Sequence, residues 1–303
     1  MQRSTILLAA VLVLAAGTAF AAEGTFDKTL SVTGTPNVSI STGSGYVHVY
    51  PGSNNQVHIV GHVHGRVGIF GGDVESRVKE IAANPPITQS GTEIRVGNNH
   101  GDSALFQNVS IDYDVTVPSA TTLKAHSGSG SLEVGGIQGA VDAGSGSGDV
   151  KVDNIGANAR LETGSGSIHA SNVHGAANLQ TGSGNLELDL NGAGDVKAQT
   201  GSGSIHIRGL SGALRAGTGS GSLEVSGTPI GEWRLETGSG SIHAEVGNAA
   251  KFNVNAETGS GSIHVEQAMV MQGSMNKHHV TGTVNGGGPT LRASTGSGNI
   301  TIR

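Results

Sequence analysis

Short runs of alternating apolar and polar residues, punctuated by glycine-rich turns, fill the chain from about residue 123 to its C-terminus. One unit reads Thr163-Gly164-Ser165-Gly166-Ser167-Ile168-His169-Ala170. It continues through Ser171-Asn172-Val173-His174-Gly175 and closes with Ala176-Ala177-Asn178-Leu179-Gln180. Ile168 and Ala170 alternate with Ser167 and His169, which is the period of a β-strand. Leu179 and Thr181 alternate in the same way. Each unit therefore predicts two short strands and two turns, with no helix. So small a unit cannot bury its apolar face alone and must stack on its neighbours.

The tetrad Gly-Ser-Gly-Ser, or a close variant, begins at Gly128, Gly146, Gly164, Gly182, Gly201, Gly219, Gly238, Gly259 and Gly296. The steps are 18, 18, 18, 19, 18, 19, 21 and 37 residues, the last being two units with one degenerate copy between them. An outlying copy is Gly43-Ser44-Gly45-Tyr46. Stacking places equivalent residues one interstrand step apart, ~4.8 Å. An inward apolar column then runs through Leu132, Val150, Ile168, Leu186, Ile205, Leu223, Ile242, Ile263 and Ile300. A second is expected through Leu161, Leu179, Leu214, Leu235 and Leu291. A third, Thr163, Thr181, Thr200, Thr218, Thr237, Thr258 and Thr295, is expected to hydrogen-bond along the stack. The flanking glycines are expected to supply positive φ at a sharp corner. The fold class predicted is all-β, a parallel β-solenoid with coils of about 18 residues.

The N-terminal part is less regular. Strands are expected within 38–50, 56–63, 93–96 and 109–117, and a short helix over 73–82 with Val74, Val78 and Ile81 on one face. This region, 22–122, is expected to cap a repeat domain at 123–303. Residues 265–275, with Met269, Met271 and Met275, break the period and predict a protruding loop. Ahead of all this, Met1-Gln2-Arg3, the apolar run 6–16 and Ala19-Phe20-Ala21 read as a signal peptide over 1–21. The mature chain is then expected to be exported, to the periplasm, the outer surface or the medium. No later apolar run is long enough to span a bilayer.

Composition narrows the chemistry. Glycine accounts for 51 of 303 residues, which the corners explain without disorder, and only 3 % of residues are aromatic. Cysteine is absent, so disulfides, thiolate metal sites and a Cys nucleophile are excluded. The net charge is −6, and no basic block marks a nucleic-acid partner. There is no G-x-S-x-G elbow, Walker A loop or H-E-x-x-H motif.

The run Val115-Thr116-Val117-Pro118 leading into T-G-S-G-S-[IL]-x-[VA] units resembles the bacterial "putative adhesin" domains of unknown function. It is also similar to auto-transporter adhesin head domains. Asn285-Gly286-Gly287-Gly288-Pro289, followed by Thr295-Gly296-Ser297-Gly298-Asn299-Ile300, fits the same pattern. The resemblance covers about residues 38–302. It implies a right-handed parallel β-helix and brings no catalytic residues and no cofactor.

Two candidate sites follow from the residues. The outward position after each inward Ile or Leu reads Glu133, Lys151, His169, Glu187, His206, Glu224, His243, His264 and Thr301 up the stack. His169, Glu187, His206, Glu224, His243 and His264 form a candidate binding face, with His243 and His264 expected on adjacent coils. The second candidate is a metal site of His48, His58, His62 and His64. His58, His62 and His64 share one face of an expected strand, and a hairpin at 51–55 is expected to set His48 opposite His58. The function expected is an exported, non-catalytic, adhesin-like surface or periplasmic protein with a glycan or protein partner. The alternative is a polysaccharide-active or glycan-binding β-helix, which Trp233 as the sole Trp does not favour. A coil ending at Arg303 is expected to leave an edge open to end-to-end self-association.

Overall fold

The computed structural model describes residues 21–66, 73–97, 104–271 and 276–303. The expected signal peptide over 1–21 therefore lies almost wholly outside the described residues, as does Met275. Among the described residues, no helix is long and apolar enough to cross a membrane.

The strands join in one 25-stranded assembly, in which each coil contributes one strand to each of two parallel rows. Row A holds the strands that precede a Gly-Ser-Gly corner, such as Ala159–Thr163 and Ala177–Ser183. Row B holds those that follow it, such as Ile168–Val173 and Leu186–Leu190. Two long strands, Ile205–Ser220 and Leu223–Ser239, run from row B into row A without a break.

The first apolar column is observed in register: Leu132 pairs with Val150, Val150 with Ile168, Ile168 with Leu186, and Leu186 with Ile205. The second is corrected. Leu161, Leu179 and Leu235 share a column with Ala198, Ala216 and Ala293. Leu214 and Leu291 belong to the neighbouring inward column, with Val196 and Trp233. Period-2 alternation fixes the face and not which inward position holds the large residue. A large and a small residue alternate in several coils, Ala159 with Leu161 or Leu214 with Ala216, and so fill a thin core.

The threonine ladder is present. Thr163 Oγ1 donates to the Gly148 carbonyl at 2.8 Å, Thr181 to Gly166 at 2.9 Å and Thr200 to Gly184 at 3.0 Å. Ser127 and Ser145 continue it toward the N-terminus, donating to Gly45 and Gly130, each at 2.9 Å. The corner glycines answer mainly to close approach. A Cβ on Gly166 would lie 2.2 Å from the Gly148 carbonyl oxygen, although Gly166 has no positive φ. Gly240 meets both demands, with φ at 149° and a Cβ position 2.0 Å from the Gly221 oxygen.

Both ends reorder the coils. At the N-terminal end the strands of 93–117 form the outermost coil, and those of 37–51 lie between it and the coil of 122–135. Strands Gln56–Arg66 and Ala21–Ser31 then add antiparallel to row B, and helix Val74–Ala83 packs Val74, Val78 and Ile81 onto them. At the C-terminal end, Ile300 lies between Ile242 and Ile263. The final coil is thus enclosed, and Arg303 is not at an open end. His279–Val284 and Met269–Met271 close row A antiparallel, so the described part of the expected loop is partly strand.

Candidate functional site

Alternation sends every second residue of row B outward, and the coil register turns these residues into a ladder. In spatial order it reads Glu133, Lys151, His169, Glu187, His206, Glu224, His243, Thr301 and His264. Thr301 separates His243 from His264, which corrects their expected adjacency. Basic and acidic side chains meet along it. Lys151 Nζ lies 3.0 Å from Glu133, His169 Nδ1 3.0 Å from Glu187, and His206 Nε2 3.6 Å from Glu224. Arg208 reaches Glu187 and Asp189, each at 3.3 Å. The His169 hydrogen bond, with help from Arg208, holds the Glu187 carboxyl below the usual carboxylate range. Lys151 does the same for Glu133.

At its N-terminal end the ladder continues through His48, opposite Glu133, to Asp114. Here the expected hairpin is overturned. Strand Val47–Pro51 pairs parallel with Val109–Val117, and Gln56–Arg66 pairs antiparallel with that same strand on its other side. His48 thus faces Asp114 and not His58. His48 Nδ1 and His62 Nε2 lie 3.1 and 3.4 Å from the two oxygens of Asp114. His64 Nε2 is 3.1 Å from Asp112, and His58 Nε2 is 2.8 Å from Asp27. The four imidazoles are distributed over three carboxylates. Among the described residues no three His, Cys, Asp or Glu side chains are grouped to hold a metal ion. A Cβ on Gly61, between these histidines, would enter the Phe26 ring at 2.1 Å, so close packing of the first strand explains that glycine.

Sequence reasoning missed the tyrosines. Tyr46, just ahead of strand Val47–Pro51, and Tyr50 within it flank His48. The Tyr46 and His48 rings stack with centroids 4.3 Å apart, and Tyr50 lies 6.5 Å from His48. Tyr46 Oη donates to Asp114 at 3.2 Å, and its backbone N–H to Asp112 at 2.9 Å. The signal was the Tyr-x-His-x-Tyr alternation at 46–50, visible in the sequence and read only as an outlying repeat. Trp233, by contrast, is fully buried and donates through Nε1 to the Gly212 carbonyl at 3.0 Å.

A parallel-rich β-solenoid with outward side-chain ladders is the class these observations define. The chain belongs to the Toastrack DUF4097 family, which it matches over residues 23–303. No curated protein matches it. Among solved structures it is similar to a "putative cell adhesion protein" from Clostridium sporogenes, at 12 % identity, covering 92 % of this chain and 98 % of that one, with a TM-score of 0.24. It is also similar to a "putative adhesin" from Bacteroides fragilis, at 13 % identity over 92 % and 97 % of the two chains, with a TM-score of 0.37.

Proposed function

We propose that this chain is an exported, non-catalytic, adhesin-like solenoid that holds a glycan on the outer face of row B. One observation carries the reading: three rings in line, Tyr46, His48 and Tyr50, stand beside the carboxylates Asp112, Asp114 and Glu133. Aromatic faces offer stacking to the apolar side of a sugar, and carboxylates accept its hydroxyls. The ladder from Glu133 to His264 extends the same surface along the rod, where ladder hydrogen bonds keep the spacing fixed.

The test is a glycan array probed with the full chain and with its Tyr46→Ala/Tyr50→Ala variant, with and without Zn²⁺. Saturable binding to one glycan class, lost in the variant, is the expected result. Absence of any glycan class whose binding the variant loses, or no binding to any glycan, overturns the reading. Release of shortened sugars from the bound glycan would favour the polysaccharide-active alternative.

A further inference from the structure

The outward face of row A carries a second ladder that the reading above does not use. Lys124, Arg160, Lys197, Arg215, Arg234 and Arg292 occupy one column, interrupted by Asp142 and Asn178. These are six of the chain's 17 lysines and arginines, in a protein of net charge −6. The last four are direct register neighbours. Like charges opposite one another across strands are destabilising, and row B sets Lys151 beside Glu133 rather than beside another lysine or arginine. The side chains of Lys124, Lys197 and Arg215 make no hydrogen bond or ion pair among the described residues. Arg160 and Arg234 reach Glu162 and Glu236, each at 2.6 Å, and Arg292 reaches Glu232 at 3.2 Å. All three pairs are exposed and bind weakly.

The column follows a trough. Shallow grooves of about 830, 480, 220 and 140 Å³ succeed one another along it. Each shares a residue with the next: Lys124, then Val196, then Arg234. Midway, Asn178 Oδ1 is shut from solvent and has no hydrogen-bond partner among the described residues. Acids line both flanks, Glu162 and Glu236 on one side and Asp195 and Glu232 on the other. The positive potential is therefore a narrow line and not a broad patch.

We propose that this trough binds one extended chain of an acidic polysaccharide, a linear polyuronate, with its carboxylates on the cation column. Such a polymer carries one carboxylate per pyranose, and a pyranose is close in length to the ~4.8 Å step between coils. A flat anionic surface would press on the acidic flanks. Duplex DNA is too broad for the trough, and its phosphates, which rise about 3.4 Å per nucleotide along the helix axis, fall out of step with the coils. Arginine and lysine both suit carboxylates, the arginines by bidentate contact.

The proposal is tested by calorimetric titration of the full chain with polygalacturonate, with its fully methyl-esterified form and with oligothymidylate. Expected is saturable binding to polygalacturonate alone, weakened by added salt. Lys197→Gln/Arg215→Gln should weaken it about tenfold or more. The same double variant should melt no lower than the parent, because it removes a like-charge contact. Tyr46→Ala/Tyr50→Ala, on the other face, should bind polygalacturonate as the parent does, so failure of the glycan platform on row B leaves this result readable. Equal binding to the methyl ester or to oligothymidylate, absence of binding, or full affinity in Lys197→Gln/Arg215→Gln overturns the proposal.

Discussion

Thr295 Oγ1 donates to the carbonyl of Gly240 at 2.9 Å across 55 positions of sequence, and this bond helps fix the last coil inside the stack. Thr258 then donates to Gly298 at 2.9 Å from the other side. The C-terminal coil is enclosed by chain on both faces, as the coil of 37–51 is at the opposite end. At the N-terminal end both rows are finished by antiparallel strands, and at the C-terminal end row A is, while Ile263–Val265 forms the edge of row B; the edge left open for pairing is thereby limited.

Thr295→Val tests that enclosure. It keeps the shape and removes the hydroxyl, leaving the Gly240 carbonyl without this partner. A loss of about 1 kcal/mol is expected, read from the urea midpoint at unchanged slope. An unchanged midpoint would mean that the ladder bond adds nothing at this coil.

Ile205 is fully buried between Leu186 and Leu223. Ile205→Asp places an unpaired charge in the core, and a cost above about 4 kcal/mol is expected. Glu224→Gln, one coil away on the outer face, should stay within about 0.5 kcal/mol of the parent. If Ile205→Asp melts with the parent, the inward assignment of the column is wrong.

Acid should weaken the row B ladder. The Glu187 and Glu133 carboxyls are held below their unfolded-state values by His169 and Lys151, so each binds its proton less readily when folded. Their contribution is fully present above the unfolded carboxylate pKa, about 4.3, and is lost as pH falls through the lower folded value. The melting temperature should fall more steeply below that pH in the parent than in Glu133→Gln/Glu187→Gln. Parallel curves would assign the acid sensitivity to other groups.

Zinc provides a check on the histidines. His48 and His62 already share Asp114, and His58 and His64 are engaged by Asp27 and Asp112. Equimolar Zn²⁺ should leave the melting temperature unchanged, because a ligand that binds only the folded state would raise it. A rise abolished by His62→Gln would establish a metal site here.

The sequence by itself determined the coil. Its period, its strand faces, the Ile/Leu column, the threonine ladder and the helix with Val74, Val78 and Ile81 inward all follow from local alternation and spacing. These are properties of one unit and its copies. Only the tertiary structure decided which copy lies beside which. The last three coils carry the same Thr-Gly-Ser-Gly corner, beginning at Thr237, Thr258 and Thr295, so pairing Ile300 with Ile242 satisfies the local pattern as well as pairing Ile263 would; the antiparallel closure at the end accompanies the observed order. The His48 site turned on the same kind of choice. Its strand alternation was legible, but its neighbour became Asp114 because a distant strand inserted itself between 47–51 and 56–66. The row A cations were also in view, each three residues ahead of a ladder Ser or Thr, as in Arg160 and Thr163 or Lys197 and Thr200. Their spacing along the chain hides a column that exists only once coils are stacked, because stacking brings charges some 18 residues apart within one interstrand step of each other.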